Sequence, residues 1–263
     1  MRVVCHDRPA ALVIAHPGHE LRVYNWLSLV HPRVFILTDG SGHRRKSRLH
    51  RTTGILNSLG VRTGTIYGRL TDADFYSAIL AHQVGVFIGI AGELAEALVH
   101  DRIEYIVGDA IEGYNPVHDV CRMIINAAVK KACEMGNCIE NFDVLLADKL
   151  TDKTPAAMMD IISIAADEQM LAEKLRVARD YAELEVDVNR VLAHEGIASL
   201  GTEYLRPVNE VSYNELLQEP PYYEVYGEQQ VAAGRYQRVI RYHDHVLPIG
   251  VALQGFSRGL TVR

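Results

Sequence analysis

The stretch AALVIAHPGHE, residues 10–20, places a short apolar run directly before two histidines, His16 and His19. The run AALVIA is typical of a strand buried on both faces of a parallel sheet. The Pro-Gly pair that follows predicts a turn. Because ligands of parallel α/β sheets bind beyond the carboxyl ends of the strands, both histidines are expected at a functional edge of the sheet.

The first 150 residues alternate short apolar runs with longer amphipathic ones. Strands are predicted at 11–15, 33–38, 62–67, 85–88, 105–107 and 144–147. Helices are predicted at 20–30, 47–59, 72–83, 91–100 and 118–133. Strands that alternate with helices indicate an α/β fold, a mostly parallel sheet with helices on both faces.

The alternation of short apolar and longer amphipathic runs ends near residue 150. A helical pattern covers 167–194, a Tyr-rich stretch at 219–249 favours a hairpin-like or irregular region, and a helix is predicted near 246–254. We therefore expect a core over 1–150 and a helical and irregular C-terminal extension over 151–263 that packs on the core.

Composition limits the classes of function. The chain has 263 residues, is 48% hydrophobic and carries a formal net charge of −6, which argues against nucleic acid as a partner. The absence of an apolar run long enough to span a membrane and of an export signal predicts a cytoplasmic protein. Four scattered cysteines predict reduced, mostly buried thiols. The composition of the chain is compatible with a homo-oligomer.

A second polar cluster follows a later predicted strand. EGYNPVHD, residues 112–119, begins three residues after the run EYIVG at 104–108 and brings His118 and Asp119 to the same edge as the first motif. Three imidazoles with an open fourth position are typical of a catalytic zinc. The alternative is that these histidines pack or cap helices, that Asn115 is a turn residue, and that Asp119 favours a helix N-terminus through its dipole.

Several motifs together resemble one family. AHPGHE, TDGSG at 38–42, LGV at 59–61 and EGYNPVHD are similar to the LmbE-like, PIG-L type N-acetylglucosaminyl deacetylases, whose signatures read roughly AHPDDE and HPDH. The stretch KLRVARDYAELEVDV at 174–188 and the GTEYL segment at 201–205 resemble the family's C-terminal part. The resemblance covers residues 10–205 and implies that the region 1–150 is a Rossmann-like, metal-binding core.

The resemblance implies one zinc ion held by His16, His19 and His118. His19 replaces the carboxylate ligand of the family, which zinc tolerates. Two catalytic positions depart from the pattern, because the family's general base falls on Gly18 and its second histidine on Asn115. Asn115 retains a hydrogen-bond donor for an oxyanion but no acid function.

The expected function is a zinc-dependent hydrolase that deacetylates an N-acylated amino sugar or a related small conjugate. The replacement base has five candidates, which are Asp39, Glu20, Asp109, Glu112 and Asp119. Asp39 is preferred because TDG places it at the end of the second strand, although it could equally stabilise the turn. Arg48 and Arg51, in the basic run at 43–51, are expected to contact a phosphate or carboxylate of the substrate, unless that run is a solvated helix face.

The sequence also allows other roles for two histidines and other functions for the protein. His243 and His245 either fold back over the site or form a surface or core pair. The competing function is a metal- or nucleotide-sugar-binding protein that retains the fold without hydrolysis, or a non-catalytic assembly partner. No GxGxxG follows the first strand, and the Gly-containing segment at 89–96 is a weak phosphate-binding signal.

Overall fold

The computed structural model describes residues 7–42, 45–146, 160–208 and 220–259. Its strands are β1 (Ala10–Ile14), β2 (Arg33–Thr38), β3 (Thr63–Leu70), β4 (Tyr105–Asp109), β5 (Glu140–Val144), β6 (Ile162–Ala165) and β7 (Thr202–Pro207). They form one sheet in the order β3-β2-β1-β4-β5-β7-β6. The first five strands pair in parallel, whereas β7 runs antiparallel to both β5 and β6. The expected mostly parallel α/β sheet is confirmed.

Helices cover both faces of this sheet. The α-helices are α1 (Tyr24–Val30), α2 (Leu49–Ser58), α3 (Asp72–Leu80), α4 (Val84–His100), α5 (Pro116–Glu134), α6 (Glu168–Asp180), α7 (Glu185–Glu195), α8 (Tyr222–Ala232) and α9 (Leu247–Ser257). Helices α3, α4, α5 and α9 pack on one face, and α1 and α2 pack on the other. None of the helices described is both long and apolar enough to cross a membrane.

Strand β1 shows why the apolar run forms the centre of the sheet. Ala11 and Val13 face one core, while Leu12 and Ile14 face the other, and all four are fully buried. A strand buried on both faces needs apolar residues at every position, which AALVI supplies. The turn that follows β1 therefore begins at a strand that is buried on both faces of the sheet.

Two predicted strands are placed differently. The prediction of a strand at 85–88 is wrong, because these residues lie in α4. Phe87, Ala91, Leu94 and Leu98 of α4 are fully buried and recur at helical spacing, and a four-residue apolar run cannot distinguish the two structures. The strand predicted at 144–147 occupies Glu140–Val144 instead, and residue 147 lies outside the described residues.

The C-terminal part also departs from expectation. The helix predicted at 167–194 is two helices, α6 and α7, joined by a 3₁₀-helix at Ala182–Leu184. The Tyr-rich stretch is not a hairpin, since it forms α8 and a π-helix at Tyr242–Val246 that leads into α9. Strands β6 and β7 were not predicted, because β6 has only four residues and one of the two buried side chains of β7 is the charged Glu203. The segment at 151–159 lies outside the described residues.

The cysteines are not all reduced. Cys133 and Cys138 form a disulfide, with their Cα atoms 4.3 Å apart, across the turn between α5 and β5. Both residues are exposed, so the expectation of buried free thiols is wrong for this pair. It fits Cys121, which is free and buried. Cys5 lies outside the described residues.

A buried ion pair joins the C-terminal part to the first helix. Glu203 in β7 accepts hydrogen bonds from the backbone N–H groups of Asn25 (2.8 Å) and Trp26 (2.9 Å), at the start of α1. Lys174 in α6 donates its Nζ to Glu203 at 2.8 Å, and each residue is 3% exposed. Because Glu203 satisfies backbone donors and a cation together, it fixes the start of α1 just after the histidine motif.

We expect Lys174→Met to lower the free energy of unfolding by about 3–5 kcal/mol, because it leaves the Glu203 carboxylate buried without its cation. Urea unfolding followed by circular dichroism measures the loss. The control is Arg176→Met on the same helix, whose ion pairs with Glu173 and Asp180 are exposed, and which should change the unfolding midpoint little. Equal effects of the two substitutions would contradict the role of the buried pair.

Candidate functional site

The two histidine motifs meet where the sheet topology reverses. From β1 the chain proceeds outward to β2 and β3, then returns to β4 on the other side of β1. Connections that leave in opposite directions open a crevice at the carboxyl ends of β1 and β4, the usual ligand position in such sheets. His16 and His19 follow β1, and His118 follows β4 at the start of α5.

The rings of the three histidines lie side by side. Their centroids are 5.3 Å apart for His16 and His19, 5.2 Å for His16 and His118, and 4.5 Å for His19 and His118. Three imidazoles that share one tetrahedral zinc, with Zn–N bonds of about 2.0–2.1 Å, have ring centroids roughly 5 Å apart. As they stand, however, no three His, Cys, Asp or Glu side chains in the described ranges have donor atoms arranged to hold a metal ion.

His16 is held through Nδ1 by two buried groups. Nδ1 lies 2.7 Å from Oγ1 of Thr38 and 2.9 Å from Oδ1 of Asp72, which begins α3. Burial by itself raises the pKa of Asp72, but His16, Thr38 and the backbone N–H of Gly42 outweigh it and hold that pKa well below its ordinary value. Asp72 is therefore an anion that orients the ring of His16.

His19 has an equivalent partner. Its Nδ1 lies 2.9 Å from Oδ2 of Asp109, at the end of β4, and the same oxygen accepts the backbone N–H of Ala15 at 2.8 Å. Asp109 is fully buried. A carboxylate on one ring nitrogen fixes the tautomer of a histidine and leaves the other nitrogen for a metal, which is the usual arrangement around zinc.

His118 is buried without a partner on Nδ1 among the described residues. Burial, followed by the nearby His19, His16 and Arg48, lowers the pKa of His118 well below 6.5. Burial also lowers the pKa of His16, against the opposing effect of Asp72. Neutral imidazoles are the form that binds a metal, and a buried, unpaired ring nitrogen needs a partner. His16 and His118 are therefore of the ligand type and in the protonation state that zinc binds.

The position of the expected base is filled by another side chain. Gly18 has φ +109°, and a Cβ there would stand 2.4 Å from Cδ1 of Leu184, which comes from the 3₁₀-helix after α6. Glu20 is also occupied, since it accepts the Gly18 N–H at 2.6 Å and the Thr52 hydroxyl at 2.6 Å. Glu20 is fully buried and braces the loop against α2.

Three other acidic candidates, Asp109, Asp119 and Glu112, are buried or hydrogen-bonded to the backbone. Asp109 and Asp119 are fully buried. Oδ1 of Asp119 accepts the backbone N–H groups of Glu112 and Gly113, and burial raises its pKa to about 7. Glu112 accepts the N–H of Leu146. These contacts shape the loop after β4.

Asp39 is half-buried, and its Oδ1 accepts the N–H of Ser41 at 3.0 Å, as expected for a turn residue. No hydrogen bond to its Oδ2 is found within the described residues. A Cβ on the next residue, Gly40, would lie 2.9 Å from Cδ of Pro17, so this turn packs against the first histidine motif.

Asn115 and the two arginines lie in different surroundings. Oδ1 of Asn115 caps α5 by accepting the Val117 N–H at 2.9 Å and also accepts the Tyr76 hydroxyl at 3.1 Å, so its Nδ2 is the donor side. Arg48 donates Nε to the carbonyl of Gly40 at 2.7 Å, beside the histidines. Arg51 instead forms an ion pair of 3.1 Å with Glu183.

His245 packs away from the three histidines. Its ring lies 5.3 Å from that of His82, which follows the C-terminal end of α3. Asp72, the partner of His16, begins the same helix, so about 13 Å of helix separates the two places. His243 contacts the ring of Tyr242. The structure does not bring this pair over the site.

Three residues of the site were not identified from the sequence. Thr38 and Asp72 hold His16, and Leu184 fills the base position. Asp72 had a signal, because it opens a helix directly after β3 at the same edge of the sheet. Leu184 had none, because its approach depends on how the C-terminal part packs.

No protein-family model matches the sequence, and neither does any curated protein. Among solved structures, the chain is similar to the A40926 pseudoaglycone deacetylase Dbv21, with 16% identity, a TM-score of 0.55 and coverage of 79% of this chain and 99% of that chain. It is also similar to the zinc-inhibited form of teicoplanin deacetylase Orf2, with 12% identity, a TM-score of 0.53 and coverage of 78% and 99%. At these identities the likeness establishes a shared fold, and the fold implied by the family resemblance is confirmed.

Gly18→Ala should lower the free energy of unfolding by about 2–4 kcal/mol, because it adds a clash with Leu184 to an unfavourable positive φ. Gly136→Ala is the matched control, with φ +93° and nothing within 4 Å of the added carbon. Its expected loss is about 1 kcal/mol. Urea unfolding of both variants measures the difference.

The double variant Gly18→Ala with Leu184→Ala isolates the contact. Its loss should be smaller than the sum of the two single losses, because the second substitution removes the clash. Additive losses would show that Leu184 does not occupy the space beside Gly18.

Proposed function

We propose that this protein is a zinc-dependent hydrolase of the deacetylase type, acting on an N-acylated amino sugar or a related glycoconjugate. The observation that carries the proposal is the group of three imidazoles, two of them buried and one half-buried, at the reversal point of the sheet, where carboxylates contact the rings of His16 and His19. The two similar solved structures, both of deacetylases, support the choice of reaction.

The proposed zinc ligands are His16, His19 and His118. Zinc, when bound, supplies a Lewis acid that polarises an acyl oxygen and lowers the pKa of water. Asp72 and Asp109 keep the ligand rings of His16 and His19 in one tautomer and orientation.

Asp39 is the proposed general base. Its Oδ2 accepts a proton from the attacking water, whose oxygen forms a bond to the acyl carbon. The C–N bond then breaks, and the proton passes from Asp39 to the leaving nitrogen, so that a carboxylic acid and an amine are released. A positioned base of this kind contributes about 10²–10⁴ in rate. The Ser41 N–H on Oδ1 holds the carboxylate in place.

Asn115 and Arg48 are proposed to bind negative charge. The Nδ2 group of Asn115 donates to the oxyanion that develops on the acyl oxygen, while its Oδ1 stays bound to the α5 backbone. The terminal nitrogens of Arg48 are available to a carboxylate or phosphate of the substrate. Arg51 joins them only by giving up its ion pair with Glu183.

One observation favours a second candidate function. The space beside Gly18, which would hold the family's base, is occupied by Leu184. The alternative is a protein that binds a metal or a nucleotide sugar without hydrolysing it. The two functions differ in turnover and in their dependence on Asp39.

Zinc content tests the ligand set. We expect about one zinc per chain in the dialysed wild-type protein, measured by elemental analysis, and loss of that zinc in His16→Ala and His118→Ala. His100→Ala, whose side chain is 87% exposed, is the control and should keep its zinc. Circular dichroism confirms that each variant is folded. Equal zinc in all four proteins would end the proposal.

Turnover tests the base. Amine release from a panel of N-acetylated glucosamine derivatives, detected with fluorescamine, should fall by about 10²-fold or more in kcat for Asp39→Asn. The asparagine keeps an acceptor for the Ser41 N–H, so zinc content and thermal stability should match those of the wild type. An unchanged kcat would exclude Asp39, and no turnover by zinc-loaded wild-type protein on the panel would favour the non-hydrolytic alternative.

A further inference from the structure

An aromatic ladder of tyrosine rings begins at Tyr114, the residue before Asn115. The rings of Tyr114 and Tyr222 stack with their centroids 5.2 Å apart and their planes within 3°, and the Tyr226 ring continues the stack at 5.9 Å. Tyr236 packs edge-on against Tyr226 at 6.4 Å. Tyr114, Tyr222 and Tyr226 are 39%, 53% and 37% exposed. Rings of this size are usually buried, so a run of exposed ones marks a binding surface.

The ladder is continuous with the proposed catalytic loop. Tyr114 directly precedes Asn115, and the carbonyl of Gly113 accepts the backbone N–H of Tyr223 in α8. The hydroxyl of Tyr76 donates to Asn115. Helix α8 thus supports the loop after β4. Stacking against Tyr222 holds the ring of Tyr114 in addition to the loop itself.

Building on the proposed function, we infer that Tyr114 is a stacking platform for a neutral sugar ring of the substrate, held in place by Tyr222 and Tyr226. One face of the Tyr114 ring is covered by Tyr222, and the side chain is 39% exposed. The C–H face of a pyranose is apolar and suits an aromatic ring, while its hydroxyls remain in water. Immobilising the ring beforehand reduces the entropic cost of binding.

The charges beside the ladder favour a neutral sugar over a nucleotide as the ligand. The acidic side chains of α8, Glu224 and Glu228, both pair with Arg241. The ladder itself offers hydroxyl groups and ring faces, which suit a neutral ligand better than a phosphate. A sugar that continues beyond the acylated ring would therefore lie along this surface.

Direct binding tests the inference. The probe is tri-N-acetylchitotriose, titrated by calorimetry into zinc-free and zinc-loaded protein, with uridine monophosphate as the anionic comparison. We expect Tyr114→Ala to raise the Kd for the trisaccharide by roughly 3- to 10-fold and Tyr114→Trp to preserve it. Tyr222→Ala should also raise the Kd, because it releases the platform.

Tyr204→Ala is the control, since Tyr204 in β7 is likewise 39% exposed, and it should bind as the wild type does. Wild-type protein that binds no trisaccharide, a Tyr114→Ala variant with unchanged Kd, or tighter binding of uridine monophosphate would overturn the inference. Binding sensitive to Tyr114 without any turnover leaves it standing and refutes the hydrolase alone. Turnover that depends on Asp39, with a KM that Tyr114→Ala does not change, would overturn the inference about Tyr114 and leave the proposed hydrolase standing.

Discussion

The site depends on two buried carboxylates that each orient one histidine. Asp72 and Asp109 lie at the ends of β3 and β4, on either side of β1, and hold Nδ1 of His16 and of His19. Burying a carboxylate is costly unless hydrogen bonds satisfy it. Asp72 meets that cost with Thr38 and the N–H of Gly42, whereas Asp109 accepts the N–H of Ala15 on Oδ2 and leaves its buried Oδ1 without a partner among the described residues. The histidine motif after β1 is therefore fixed by neighbouring strands.

This dependence explains what could be predicted from the sequence. The meeting of His16, His19 and His118 follows from parallel strands alone, since their carboxyl ends share one edge. The partner of His16 does not follow, because Asp72 is 56 residues away and reaches the ring across β2. The pairing of β2 with β3 also shifts register twice, so the position of the end of β3 cannot be counted from its sequence.

The errors in secondary structure have a common physical cause. The run at 85–88 is apolar and short, and only the buried residues that follow it at helical spacing make it part of α4. The Tyr-rich stretch has strand-forming residues, yet Tyr223 is buried against the core and the exposed tyrosines stack along α8. Packing outweighed intrinsic preference in both places.

The C-terminal part completes the site. Leu184 closes the space beside Gly18, Glu203 fixes the start of α1, and Tyr222 supports the ring of Tyr114. Each of these side chains acts on a segment that follows β1 or β4, so substitutions in the extension are expected to alter the loops that carry the histidines and Asn115.

Charge balance gives a reason why the proposed set of three histidine ligands would bind zinc. Replacing a carboxylate ligand by His19 would leave the proposed zinc with three neutral ligands and a net charge of +2. Asp109 restores a negative charge one hydrogen bond further out, at 2.9 Å from the His19 ring, and Asp72 does the same behind His16. The negative charge is thus moved from the ligand to the residue that orients it, which raises the basicity of the imidazole. A substitution that would weaken an isolated site is compatible with metal binding because the carboxylates were placed by the sheet.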